Sequence, residues 1–280
     1  MNKKVIAITG ASGFLGKKIV RSLIKSYNLI IFSTQKFKNT HQIIYKKYSL
    51  DENYHKIFNS KKIEGVIHIA TNYGRKNIEK KEVYLANYKI PNKIFNAFTK
   101  SDIKFFINTD TFYTIKNHSH LKNYIMSKKK FFFKINKFNY KEKRIINLKL
   151  FHLVGRNDNK DKFIPIIIRA LKSNKLIKLN SPKNYIDFIH INDVVDLYLK
   201  IIKNIKHFKK GNRNIDVGTG KTYSVLKLVK SLKKSLKSDS KIIYLNQLNF
   251  KVFVAKKIKN LQKLWKPKYS FKKIIKDLSY

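Results

Sequence analysis

A tyrosine phenol can protonate a carbonyl oxygen while hydride reaches the carbonyl carbon, provided a nearby ammonium lowers its pKa from about 10. A Tyr and a Lys four residues apart on a helix share a face and supply such a pair. Three pairs have this spacing: Tyr124 with Lys128, Tyr223 with Lys227, and Tyr269 with Lys273. With 16 tyrosines, and lysine at 57 of 280 positions, chance alone supplies about three such pairs, so spacing does not choose among them. Position does. Only Tyr124 follows the strand-like run Ile103 to Asn108, which ends in Thr109, a hydroxyl able to bind a carbonyl oxygen. Thr109, Tyr124 and Lys128 are therefore the candidate catalytic set, and the other two tyrosines read as packing or surface residues.

The elements that must position this set start near the amino terminus, where residues 5–16 read VIAITGASGFLG. A short apolar run suits a buried parallel strand, Gly10 suits a tight turn, and Gly13 leaves backbone N–H groups open to a pyrophosphate. Gly16 lets the next helix pack closely, with Leu15, Ile19, Leu23 and Ile24 on its apolar face. That helix start offers unpaired N–H groups and a positive dipole end to phosphate. Strand-like runs at Val5 to Thr9, Leu29 to Phe32, Val66 to Ile69, Ile103 to Asn108 and Ile145 to Leu150 alternate with helical segments. The pattern predicts an α/β fold with a Rossmann-type, doubly wound parallel sheet. Residues 1–152 are expected to form the dinucleotide-binding domain. Residues 153–280 are expected to form a smaller α/β substrate lobe, with helices at Phe163 to Leu171, Asp193 to Ile205 and Ser224 to Leu236 and some strands returning to the first domain.

The spacing G-x-x-G-x-x-G at Gly10, Gly13 and Gly16 resembles the extended branch of the short-chain dehydrogenase/reductases, the NAD-dependent epimerase/dehydratase family. There, Ser/Thr, Tyr and Lys form the catalytic set, and the Lys also holds the nicotinamide ribose. Several segments carry the likeness toward CDP-abequose and CDP-paratose synthases: YGRKN at 73–77, YIMSKKKF at 124–131, LKLFHLVG and NDNKDKFIP within 148–165, DFIHINDVV at 187–195, IDVGTGKTYSV at 215–225 and LWKPKYSF at 264–271. Those enzymes reduce the 4-keto group of a nucleotide-activated deoxysugar with NADPH. Nucleotide-sugar 4,6-dehydratases typically carry Thr-Asp-Glu where this chain has Thr109, Asp110 and Thr111. Without the glutamate there is no base to abstract the proton beside the ketone, so the resemblance implies hydride transfer without dehydration. Asp110 either polarises a substrate hydroxyl or caps the turn after its strand.

An NAD enzyme usually places an acidic residue at the end of the second strand to bind the adenosine ribose. Here Ser33, Thr34 and Lys36 stand there instead, a set that suits a 2′-phosphate and favours NADPH over NAD. The glycine loop contributes Gly10, Ser12, Gly13, Phe14, Leu15 and Gly16 to the cofactor site. The resemblance adds Ala70, Thr71, Phe151 and Leu153 to that site, with Tyr124 and Lys128. For the anionic sugar nucleotide the candidates are Arg75 and Lys162, since a fork of donors or a point charge suits diphosphate, joined by Asp110, Thr111 and His152. His68, His152 and His190 sit in apolar strand-like runs, the setting of hydrogen-bonded structural histidines. Ile186 occupies the family's usual Arg position before Asp-Phe, so the ligand contact of that Arg does not carry over from the resemblance.

A net charge of +47 ordinarily suggests a nucleic-acid or membrane-surface protein. Here only six of the 63 basic residues are arginine, and they are spread from end to end. A solvated lysine coat explains that pattern better, so nucleic acid is not an expected partner; the coat still concentrates anionic ligands and makes their binding salt-sensitive. The absence of cysteine excludes disulfides and thiolate zinc sites, and no metal is expected. No apolar run is long enough for a membrane span or signal peptide, which predicts a cytoplasmic protein. A nucleotide-sugar substrate and a possible homodimer follow from the resemblance. The alternatives are an NAD-dependent sugar-nucleotide 4-epimerase using the same three residues, and a non-catalytic dinucleotide- or nucleic-acid-binding relative.

Overall fold

The computed structural model describes residues 3–75, 78–115, 121–137, 142–244, 250–256 and 259–280. In chain order the elements are β1 (Lys4–Thr9), α1 (Phe14–Leu23), β2 (Tyr27–Ser33), β3 (Ile43–Lys47), α2 (Tyr54–Ser60), β4 (Ile63–His68) and α3 (Lys80–Tyr84). A π-helical turn (Leu85–Lys89) leads into α4 (Ile90–Thr99), followed by β5 (Phe105–Thr111), α5 (Lys122–Asn136) and β6 (Arg144–Leu150). Next come β7 (His152–Val154), α6 (Phe163–Lys172), β8 (Ile177–Leu179), β9 (Tyr185–Ile186), β10 (Phe188–His190), α7 (Ile191–Lys203) and β11 (Gly211–Val217). The chain ends with β12 (Tyr223–Ser224), α8 (Val225–Ser235), β13 (Ile242–Tyr244), β14 (Val252–Phe253), α9 (Lys259–Leu264) and α10 (Phe271–Ser279).

Two compact units result, one of Met1–Lys149 with Ile201–Ile215 and one of Leu150–Lys200 with Asp216–Tyr280. The first is built on a seven-stranded sheet of order β11-β6-β5-β4-β1-β2-β3. β3, β2, β1, β4 and β5 pair in parallel, so the doubly wound α/β fold is the one the strand–helix alternation predicts. The strand order reverses direction at β1 and β4, and the carboxyl ends of strands at such a switch point form the ligand crevice of this architecture. Ile6, Ala7, Ile8, Leu29, Ile30, Ile31 and Phe32 are all buried, as strands covered on both faces require.

Two differences from the sequence pattern matter. β3 has the half-exposed sequence IIYKK, and an edge strand with solvated lysines carries no clear apolar signal. β5 continues to Thr111, so Thr109 lies inside the strand and not at its end. The apolar run stops at Ile107, but the buried polar residues beyond it find partners across the sheet: Asn108 Nδ2 donates to Asn147 Oδ1 (2.6 Å), and Asn147 Nδ2 donates to Asp110 Oδ2 (3.3 Å).

In the second unit, α6, α8 and α10 close a core of Ile164, Ile167, Leu171, Leu228, Val229, Leu232, Ile274 and Leu278. Two of the sequence motifs prove to be halves of one clasp. The wholly buried Asp187 carboxylate accepts from Thr219 N–H (2.8 Å), Thr219 Oγ1 (2.6 Å), Gly220 N–H (2.8 Å) and Ala255 N–H (3.2 Å). Asp193 likewise accepts from the Lys268 and Tyr269 N–H groups (2.8 and 3.1 Å), while Trp265 Nε1 donates to its carbonyl oxygen (3.0 Å). No helix among the described residues is long and apolar enough to cross a membrane.

Candidate active site

The chemistry starts where β1 and β4 end. Thr9 Oγ1 accepts from the N–H groups of Ile69 (3.1 Å) and Ala70 (3.2 Å), so the proton it has left to offer goes to His68 Nδ1, 2.8 Å away. That bond fixes His68 as the Nε2–H tautomer. Burial, with the Lys128 charge adding to it, holds the imidazole well below its ordinary pKa. His68 is thus a neutral, hydrogen-bonded structural group that ties the ends of the two strands together.

Tyr124 and Lys128 lie one turn apart on the inner face of α5, each only 3% exposed. Thr109, Asp110 and Thr111 lie on β5. Lys128 Nζ donates to the Thr109 carbonyl oxygen (3.0 Å). Asp110 uses Oδ1 to accept from Thr111 N–H (2.8 Å) and Oδ2 to accept from Asn147. Both oxygens are thus bonded within the sheet, to Thr111 of β5 itself and to Asn147 of β6. Burial raises the Asp110 pKa, and the Lys128 charge leads the effects opposing that rise.

The protonation of the pair differs from the sequence expectation of a phenol made acidic by its lysine. Burial is the largest effect on Tyr124, and with the neighbouring Tyr73 it pushes the phenol well above 10; a hydrogen bond with the Thr111 side chain opposes this, and Asp110 and Tyr113 reinforce it. Burial also lowers Lys128 from 10.5 to about 8, with Asp110 resisting. The physical reason is that a low-dielectric surrounding disfavours charge on both groups, and the ammonium is spent on the Thr109 carbonyl. The phenol is consequently held protonated.

A third segment closes on the pair. Residues 71–75 follow β4, and the Tyr73 ring lies 4.8 Å from that of Tyr124, with Arg75 5.4 Å over the Tyr73 ring. Lys76 and Asn77 of the same motif lie outside the described residues. The remaining candidates of the second unit have their own partners. Phe151 N–H donates to the Val217 carbonyl and His152 N–H to that of Asp187, and the His152 ring packs edge-on to Phe188 at 5.3 Å. Leu153 lies on β7, Ile186 lies on β9, and Lys162 pairs with Asp158 at 2.8 Å. Tyr223 stacks on Phe271 (3.9 Å) and Tyr269 on His190 (3.7 Å), so both other Tyr–Lys tyrosines are packing residues.

Residues 6–218 match the NAD dependent epimerase/dehydratase family. The chain belongs to that family. Membership makes it an NAD(P)-dependent enzyme that modifies sugar nucleotides. Among curated proteins it is 34% identical over 250 residues to CDP-abequose synthase from Salmonella muenchen, covering 87% of this chain and 84% of the relative. A second CDP-abequose synthase, from Salmonella typhimurium, is 30% identical over 295 residues, covering 99% and 97%. Among solved structures, MoeE5 in complex with UDP-glucose and NAD superposes with a TM-score of 0.80 at 18% identity, covering 98% of this chain and 97% of that one.

The dinucleotide of this family fits the glycine turn. Gly10 has φ +73°, and a Cβ there would meet the Ala70 backbone nitrogen at 2.5 Å; a Cβ on Gly16 would lie 2.0 Å from the Gly10 carbonyl oxygen. Only glycine allows α1 to pack so close. Gly13 is the N-cap of α1, with no side chain capping the first turn and no acidic residue in it, which leaves the helix N-terminus to an anion. Ser12 and Phe14 are half-buried, whereas Leu15 is packed inside and offers the site its backbone. At the end of β2 the buried Ser33 Oγ accepts from Gln35 N–H (3.1 Å), and Lys36 is exposed. Ala70 is half-buried and Thr71 exposed.

Sequence reasoning missed Asn87, a wholly buried amide in the π-helical turn that bonds to Thr71, Asn72 and Ser127. A signal existed. Asn87 occupies the apolar face otherwise formed by Val83, Ile90 and Ile94, where an unpartnered polar side chain is costly. The Tyr73 ring had no such signal, because its contact is made only in three dimensions.

Proposed function

We propose that this protein reduces the 4-keto group of a nucleotide-activated deoxysugar, with NADPH as the reductant. Bound at the glycine turn, the dinucleotide supplies the hydride delivered to C4. Tyr124 gives its phenolic proton to O4, Thr109 and Thr111 present hydroxyls for that oxygen, and Lys128 supplies positive charge as phenolate develops. The product is the alcohol, and the phenol regains its proton from solvent.

The observation that carries this reading is the state of the carboxylate beside the phenol. Among the described residues, Asp110 is the carboxylate acting on Tyr124, and both its oxygens are engaged with Thr111 and Asn147. Elimination of water also needs a base at the carbon beside the ketone, and on β5 Asp110 has Thr111 and no second carboxylate next to it; reduction needs only a protonated donor, which the buried phenol is. Similarity to the CDP-abequose synthases supports the same choice of substrate class. The test is turnover of purified protein with a panel of CDP-linked 4-keto deoxysugars. Stoichiometric NADPH oxidation, abolished in Tyr124→Phe with NADPH affinity retained, is the expected result. Interconversion of substrates without net cofactor consumption, or loss of NADPH binding together with activity, would refute it. Tighter binding of NADPH than NADH is also expected, and equal affinity would remove the role given to Ser33 and Lys36.

A further inference from the structure

Tyr73 has no part in the hydroxyl and ammonium set above, yet its ring lies against the Tyr124 ring with planes tilted by 33°. It is carried by an irregular segment that owes its shape to one amide. Asn87 Oδ1 accepts from Asn72 N–H (2.8 Å) and from the Thr71 hydroxyl (3.3 Å), and its Nδ2 donates to the Asn72 carbonyl (2.7 Å). The same Nδ2 donates to Ser127 Oγ (3.2 Å) on α5, between Tyr124 and Lys128. Asn72 Oδ1 in turn accepts from Gly74 N–H (2.9 Å), where φ is +66°. A single buried side chain thus joins the segment bearing Tyr73 to the helix bearing the proton donor. π-Helical turns of this kind recur at functional sites.

We infer that Tyr73 is a positioning residue: its ring, held in place through Asn87, fixes the Tyr124 phenol and shuts water away from it. The inference rests on the ketoreductase reading for its effect on turnover. Among the described residues, the titratable or polar groups facing Tyr124 are Tyr73 from the 71–75 segment, Asp110 and Thr111 from β5, and Tyr113 from the turn after it. Lys128 lies one turn along its own helix, and Arg75 acts on Tyr113. Burial and Tyr73 are the two largest causes of the raised Tyr124 pKa, so taking away the ring acts on both at once. Water that reaches the phenol stabilises its ionised form and admits alternative rotamers.

Wild type, Tyr73→Phe, Tyr73→Ala and Tyr73→Leu are compared by two readouts, with Leu replacing the ring by apolar volume should the Ala variant fail to fold. The first is the pH profile of kcat with NADPH and a 4-keto sugar nucleotide. The second is pH titration of the Tyr124 signal in 13C-tyrosine-labelled protein, assigned by its loss in Tyr124→Phe. The ring-less variants are expected to lower kcat about tenfold with KM for NADPH unchanged, and to bring the Tyr124 midpoint down by about one pH unit toward its free value. Tyr73→Phe keeps the ring that excludes water but lacks the hydroxyl, so it should restore kcat and recover the part of the midpoint that comes from burial. An unmoved midpoint in the ring-less variants overturns the inference, as does a Phe variant no better than Leu. Absence of any reductase activity in wild type counts against the ketoreductase reading alone, because the titration still decides the role of Tyr73.

Discussion

Replacing Lys128 by methionine should make the apoprotein more stable at neutral pH while removing its activity. Burial holds Lys128 at about 8 against 10.5 for the free side chain, and that difference corresponds to about 3 kcal/mol of folding free energy. Because the folded value is the lower one, the unfolded chain binds the extra proton between those limits. The penalty is therefore at its full size below pH 8, and it fades as pH rises to about 10.5. Methionine fills the same space without charge, but it forfeits the bond from Nζ to the Thr109 carbonyl, a loss of about 1 kcal/mol. A net gain of about 2 kcal/mol at pH 7 follows, or roughly 4 to 8 °C in Tm for a chain of this class. Thermal and urea denaturation followed by circular dichroism at pH 7 and at pH 10.5 provide the measurement. At the higher pH the sign should reverse, leaving wild type about 1 kcal/mol ahead. A variant less stable at pH 7, or an advantage indifferent to pH, would refute the reasoning that burial dominates the state of this lysine.

Asp110→Asn should take away the charge that resists the fall of the Lys128 pKa, so the ammonium is lost nearer neutrality. The alkaline limb of kcat/KM should move down by about one pH unit, and an unmoved limb would show that Asp110 acts only through its bonds to Thr111 and Asn147. Asp187→Ala strips three N–H groups and one hydroxyl of their common acceptor and should cost the second unit about 3 to 5 kcal/mol. Fluorescence of Trp265, the single tryptophan of the chain, reports that loss as a lower urea midpoint, and an unchanged midpoint would show that water replaces the carboxylate.

The parts of the fold that were legible in the sequence are those where local geometry dictates residue type. Gly10 and Gly16 stand where backbone conformation and close packing exclude every other side chain, and the run from Val5 to Thr9 had to be a buried strand. The extension of β5 through Thr109, Asp110 and Thr111 was not visible, because the buried Asp110 is satisfied in part by Asn147, 37 residues away. The shared face of Tyr124 and Lys128 follows from helical spacing, but spacing says nothing of where a flexible four-carbon stem sends its ammonium. The expectation of an acidified phenol failed on that point. The nearest partner of Nζ proved to be a backbone oxygen on β5.

Lysine content deprives the Tyr–Lys spacing of meaning in the sequence, and burial separates the candidate pair from the other two. Of the lysines described, Lys128 is the one that is buried, whereas Lys227 and Lys273, partners of the other two Tyr–Lys pairs, are exposed. A coat of exposed ammonium groups costs a fold little, since each keeps its water and is screened by salt. An interior ammonium is expensive and persists only where something besides stability selects it. The same low-dielectric pocket raises Tyr124 and lowers Lys128, so the two groups are kept nearer their neutral forms until a proton is needed. Opposite displacement of two neighbouring titratable groups is how an active site sets the acid apart from its helper. Here that separation depends on excluding water from one face of α5.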